Sequence, residues 1–225
     1  MTYRRLASAM VLGMLAPAFA SPHSDDVSRV VRANQVFVEV MRTPDKGIPR
    51  EILEGAQCVA IVPSEKALAF IFGGTYGKGI VSCRHGSFWS APIYIQVGGG
   101  SWGLQLGGQS TDVIMVFRTR VGLNKLLSNK VKLGADAGAA AGPVGRQATA
   151  STDASMHAEI LTYSRSRGAF AGISLNGDIV QPDDSGNRAM YGNRPWLEIL
   201  DGRVAPPAAS RALLASLNHY TATGK

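Results

Sequence analysis

Acidic side chains are scarce in this 225-residue chain: 16 Asp and Glu stand against 23 Lys and Arg, and only 17% of residues are charged. So little charge excludes a disordered acidic tail and a coiled coil, both built largely from charged residues. Cysteine is nearly absent, and two residues are too few for a disulfide-rich miniprotein. Metal-ligand spacing is missing as well. No C-x-x-C or H-x-x-x-H occurs, and His23, His85, His157 and His219 are scattered, so no metal site is expected. Beyond the first residues, no uncharged apolar run reaches the roughly 20 residues that a membrane-spanning helix needs.

Glycine, by contrast, is plentiful: 26 residues in a chain that is 45% hydrophobic. Glycine serves where φ is positive or backbones approach closely, so this composition points to close-packed strands joined by tight turns. The net charge of +7 and pI of about 9.7 favour an acidic partner, whether lipid headgroup, phosphate or nucleic acid.

Arg4 and Arg5 precede the apolar run Leu6 to Ala16, and Ala18-Phe19-Ala20 fits a small-x-small cleavage rule. Residues 1–20 therefore read as a cleaved secretory signal, and the mature chain as a periplasmic or secreted protein. Loss of the two arginines lowers the net charge from +7 to +5. In an oxidising compartment Cys58 and Cys83 either pair or remain two small apolar fillers on strands; pairing requires Cα atoms within about 7 Å, which sequence does not supply.

Residues 21–46 read as an N-terminal amphipathic helix, with Ser24 as N-cap and Val27, Val30, Val31, Asn34, Val38 and Met41 at helical spacing. It either packs on the domain or lies on an anionic membrane. A short helix fits 48–55. Strands fit 57–62, 67–72, 79–84, 87–97, 102–107, 111–119, 131–140, 146–153, 157–165, 168–175 and 178–181, with a helical turn at Gly122–Asn129. Residues 193–225 form a C-terminal extension carrying a short helix over Ala208–Tyr220. Strand following strand predicts an α+β fold, a curved, barrel-like antiparallel β-sheet with N-terminal and C-terminal helices as appendages.

Several glycine motifs imitate chemistry. Gly98 to Gly103 satisfies G-x-G-x-x-G, but the alternating Leu104-Gln105-Leu106 follows where a nucleotide site needs a helix. Gly99-x-Ser101-x-Gly103 resembles a nucleophile elbow, with Asp112 or Asp136 and then His157 in the required order, yet it lacks the same helix. An exported serine hydrolase using Ser101 and His157 is the enzymatic alternative. Phe72 to Gly79 fails as a P-loop at both ends.

The charge is more suggestive. Arg118, Arg120, Lys125, Lys130, Lys132, Arg146, Arg165 and Arg167 fall in one stretch opposed by Asp112, Asp136, Asp153 and Glu159. Arg165 and Arg167 alternate with Ser164 and Ser166, so on a strand they share a face and could hold phosphate oxygens. Aromatics are not interleaved with these bases, which argues against nucleic acid.

Several blocks together resemble the SYLF-domain family. These are Ile48 to Pro63, Gly73 to Val81, Trp89-Ser90-Ala91-Pro92, Gly107 to Asp112, Leu133 to Ala137 and Ala141 to Arg146. The most specific runs from Ala158 through Tyr163-Ser164-Arg165-Ser166-Arg167 to Leu175, and Asn187 and Tyr191-Gly192 close the pattern. The resemblance implies a non-enzymatic lipid-binding module over residues 47–192, without cofactor. Eukaryotic members are similar in binding phosphoinositides and, in fungi, actin and its regulators, beside SH3 or FYVE domains. What carries over to an exported chain is binding of an anionic lipid or membrane surface. Lys130, Lys132, Arg146, Arg165 and Arg167 are the candidate contacts, on a peripherally membrane-associated protein; a structural envelope protein that binds other proteins is a further alternative.

Overall fold

Two fully buried segments organise the chain. Cys58–Val62 (β1) and Thr111–Phe117 (β5) have no exposed position, as befits central strands covered on both faces. The structure is a computed structural model, and it describes residues 22–43, 47–63, 75–99, 111–129, 132–133, 138–145, 158–166, 169–173, 175 and 177–222. Within them β1 and β5 pair antiparallel, Val59 opposite Val116, and Thr75–His85 (β2) flanks β1 on the other side, Ala60 opposite Val81.

Phe88–Trp89 (β3), Ile93–Gly99 (β4), Ala139–Ala141 (β6), Ile160–Ser166 (β7), Ala169–Gly172 (β8) and Ile179–Pro182 (β9) complete the strands. Their order is β6-β7-β5-β1-β2-β4-β9, with β3 on β2 and β8 on β7. The sheet curls strongly into a half-barrel, in an α+β fold with helices at both ends. Gly79 permits part of that curvature. A Cβ there would lie 2.5 Å from the Ile61 carbonyl oxygen and 2.8 Å from Val62 Cγ2, so only glycine lets β2 press so closely on β1.

Alternation divides the strands into two apolar faces. Val59, Ile61, Ile80, Tyr94, Ile114 and Val116 lie on one. The helices Pro22–Met41 (α1), Arg50–Glu54 (α2) and Arg211–Thr221, here called α6, cover it with Val30, Phe37, Leu53 and Leu217. Ala60, Val81, Ile95, Met115 and Phe117 lie on the other face. Arg120–Asn129 (α3) and Trp196–Leu200, here called α5, cover that face with Leu123, Leu127, Ile199 and Leu200. Each large side chain so buried contributes about 1.5–3 kcal/mol. Both end helices thus close the core instead of hanging from it.

Four expectations change. The run 87–97 is two strands, because the pairing breaks at Ala91–Pro92, where Pro92 has no donor; Ser90 still donates its amide to the Cys83 carbonyl, and its hydroxyl accepts from the Cys83 amide. Not every pair is antiparallel, since β6 runs parallel to β7. Of 131–140, the described residues show a bridge at Lys132 and the strand β6. Asp184–Tyr191 (α4) and α5 are helices where none was expected. The expected strands 67–72, 102–107 and 146–153 lie outside the described residues, as do residues 1–20.

The buried side of α1 is also displaced from the expected stripe. It is Asp26, Arg29, Val30, Ala33, Val36, Phe37 and Val40, while Val31 is 44% exposed. Asp26 and Arg29 turn inward because buried partners await them.

Arg84 ties several ends together. Its guanidinium donates to the carbonyls of Leu53 and Glu54 at the end of α2 and of Thr221 at the end of α6, and it stacks on Trp89. Cations at helix C-termini complement the dipole.

Cys58 and Cys83 are directly opposite in register and form a disulfide with Cα atoms 4.0 Å apart. Of the two alternatives open in the sequence, pairing is the one found. The bond joins residues 25 apart, so its removal in Cys58→Ala/Cys83→Ala is expected to cost about 3 kcal/mol. Urea unfolding of the two proteins measures this.

Candidate functional site

Two ionic fastenings hold α1 across the sheet. At its N-terminal end the Arg29 guanidinium donates to Asp26 Oδ1 at 3.1 Å and to Asp183 Oδ2 at 3.0 Å, and lies over the Tyr94 ring at 5.2 Å. Lys78 Nζ reaches the same Asp183 oxygen at 3.1 Å. Asp183 is the N-cap of α4, its other oxygen accepting from Ser185 Oγ and the Gly186 amide. Asn187 on α4 then exchanges two hydrogen bonds with the Tyr94 backbone. Gly186 lets α4 sit this close, since a Cβ there would stand 3.1 Å from both Asp26 Oδ1 and Tyr94 Cβ.

Burial opposes the charge on Asp183, but bonds from Ser185, Lys78, the Gly186 amide and Arg29 outweigh it and hold the carboxyl at about 2. Asp26 moves the other way. Burial raises it, Asp183 adds to the rise, and Arg29 and Lys78 offset only part. Burial likewise pushes the Tyr94 phenol up.

At the other end of α1, Glu39 pairs with Arg165 on β7, which also bonds Asp112 on β5 at 2.7 Å. Asp112 and Arg165 are register partners. Burial weakens the Arg165 charge, while the hydrogen bonds it donates to Glu39 and Asp112 outweigh that and raise its pKa.

Of the five bases expected to contact lipid, Arg165 is therefore clamped between two carboxylates, with its side chain 25% exposed. Lys132 is exposed and bridges Ile179, beside β9 and toward the opposite end of the strand order from Arg165. Lys130, Arg146 and Arg167 lie outside the described residues, and so do Ser101, Asp136 and His157. Asp112, the other acid considered for a catalytic set, is buried and engaged by Arg165. Among the described residues no three His, Cys, Asp or Glu side chains gather as metal ligands, and no helix is long and apolar enough to cross a membrane.

Hydrophobic periodicity overlooked the Asp26–Arg29–Lys78–Asp183 cluster. Two signals were available: the i, i+3 spacing of Asp26 and Arg29, and the capping run Pro182-Asp183-Asp184-Ser185. The charges of the cluster pair with one another, although Arg29 Nε is buried without a hydrogen-bond partner among the described residues, so the cluster fastens elements.

What it leaves outside is one-sided. Asp26, Asp112, Asp178 and Asp183 are buried, with Arg29 the only buried base among the described residues. Exposed described bases are Arg42, Arg50, Arg118, Lys132, Arg188, Arg194, Arg203 and Arg211; the exposed acids are Asp25, Glu39, Glu51 and Asp184. Burying acids has concentrated the basic excess at the surface.

A curled α+β sheet closed by helices from both chain ends, with acids inward and bases outward, defines a basic-surfaced, sheet-centred domain. The chain belongs to the Ysc84 (SYLF) family, described as "Las17-binding protein actin regulator", whose family model matches residues 98–220. It is 34% identical over 176 residues to SH3 domain-containing protein PJ696.02 of Schizosaccharomyces pombe, covering 76% of this chain and 41% of that protein. It is 34% identical over 184 residues to LAS seventeen-binding protein 3 of Saccharomyces cerevisiae, covering 80% and 39%. With SH3 domain-containing YSC84-like protein 1 of Xenopus laevis the identity is 32% over 183 residues, covering 79% and 54%. The chain thus spans about two fifths to one half of the length of these relatives.

The Asp183 carboxyl sets an acid limit. Its pKa is held at about 2 from an ordinary 3.8, so its stabilisation is present above 3.8 and lost as pH falls toward 2. The full contribution is about 2.5 kcal/mol. Urea unfolding across that interval is expected to show this loss in the native chain and a much flatter profile in Asp183→Asn, itself destabilised by about 3 kcal/mol or more because Arg29 loses a buried partner.

Proposed function

We propose that this chain is a non-enzymatic, exported module that binds the anionic surface of a membrane peripherally. The observation that carries the reading is the inversion of charge between interior and surface: eight exposed bases against four exposed acids among the described residues. Each base near an anionic bilayer adds about 1 kcal/mol, so several acting together suffice for peripheral attachment. The Cys58–Cys83 disulfide supports an oxidising compartment, in keeping with the secretory signal read at residues 1–20. Arg165 takes part through the fold, since its charge is spent on Asp112 and Glu39.

Co-sedimentation with phosphatidylserine-containing and pure phosphatidylcholine vesicles tests this. Binding is expected to the anionic vesicles alone, weakening from about 0.01 M to about 0.15 M salt as screening grows. Equal behaviour toward both vesicle types at low salt sinks the reading. A fluorophosphonate probe is expected to leave the protein unlabelled, and labelling lost in Ser101→Ala would restore the hydrolase alternative.

A second reading, a protein-binding module, is favoured by the family description and by the Las17-binding relatives. An acidic protein partner would use the same basic surface. Co-purification of such a partner without lipid separates the two.

A further inference from the structure

Phe88 is 50% exposed, Val121 58% and Leu197 43%, three of the five large apolar side chains exposed on the described surface. All three sit on segments that meet where α5 ends. Phe88 stacks on His85, whose Nε2 lies 2.6 Å from the Leu200 carbonyl oxygen. Its ring also borders Gly202, where a Cβ would stand 3.0 Å from Phe88 Cε2. Arg120, which precedes Val121, reaches the Leu200 carbonyl oxygen at 3.3 Å and Asp201 Oδ1 at 2.7 Å. Leu197 lies one turn before Asp201, whose amide donates to the Leu197 carbonyl.

The charge around this corner has one sign in excess. Residues 118–121 and 194–203 carry Arg118, Arg120, Arg194 and Arg203 against Glu198 and Asp201. Asp201 is held by Arg120 at 2.7 Å; Arg203 lies 3.9 Å from its other oxygen and keeps its side chain 72% exposed. Apolar side chains ringed by arginine match the two layers of an anionic bilayer interface, acyl chains below and phosphate above. A second copy of the same basic corner would meet like charge, which disfavours self-association there.

We propose that this corner is the face the protein turns to an anionic membrane, with Phe88 and Leu197 entering the interface and Arg194 and Arg203 at headgroup level. The inference rests on the anionic-membrane reading above and names its contact surface. It places that surface beside the start of β7, at the opposite end of the β5–β7 ladder from Asp112 and Arg165.

The test compares the full chain with Phe88→Ser/Leu197→Ser in co-sedimentation with phosphatidylserine-containing vesicles, with thermal melts confirming that the variant is folded. The double variant is expected to partition about tenfold more weakly, equivalent to about 1.4 kcal/mol. Val31→Ser, which removes an exposed apolar side chain from α1 instead, is expected to bind like the native chain. Leu197→Cys labelled with an environment-sensitive fluorophore gives a second measurement, expected to blue-shift on phosphatidylserine vesicles. Equal partitioning of the double variant, or an unshifted spectrum on vesicle-bound protein, overturns this assignment and leaves membrane binding standing. Failure of the native chain to bind those vesicles overturns both.

Discussion

Neither face of this sheet can be left to water, and most of the architecture follows from that. A strand such as Cys-Val-Ala-Ile-Val, buried at every position, projects apolar side chains both ways, so cover is needed on two sides. The chain supplies it from different places. One face is closed by α1, α2 and α6, drawn from the two ends of the chain, and the other by α3 and α5, which come later than most strands. The curl of the sheet brings these covers within reach, and the close approach at Gly79 lets the strands follow it.

Charge is handled as part of the same constraint. The covering helix α1 could slide along an apolar face, since dispersion and burial are not directional. Ion pairs at Arg29 and Glu39, ten positions apart on that helix, fix it in register at both ends. Of the carboxylates used for this, Asp26, Asp112 and Asp183 are withdrawn from the surface, while Glu39 stays exposed. A scarcity of acid in the composition thereby becomes a sharper imbalance outside, and a fold-level requirement shapes the surface that partners meet.

The central strands were readable directly: the apolar runs at 57–62 and 111–119 differ from the observed strands by two residues at most at either end. Helix α1 was readable as a helix but not in its orientation. A purely apolar criterion selected Val27, Val31 and Val38, whereas Asp26 and Arg29 face inward toward Asp183, over 150 residues away. Helix α4 was hidden because Asp183, Asp184, Ser185 and Gly186 are turn formers in isolation, and only docking on Tyr94 makes them a capped helix. Arg165 illustrates the limit for the site. Strand alternation gave it a face shared with Arg167, but α1 and its Glu39 reach Arg165 there, and no local pattern announces a partner so distant. The exposed corner at α5 left still less trace, because it is assembled from three separate segments.

One consequence concerns the order in which the molecule can be completed. Helices α1 and α6 lie side by side, with Asn34 accepting from Ser216 across 182 residues and Phe37 edge-on to Tyr220. Contacts so remote in sequence form late, because chain closure must precede them. A chain delivered from its N-terminus holds one apolar face of its sheet partly open until the last helix arrives. Arg84 then joins the end of that helix to α2 and to the centre of the sheet. Truncation within α6 would therefore open the part of this face that Leu213, Leu214 and Leu217 cover, leaving α1 and α2 as its remaining cover.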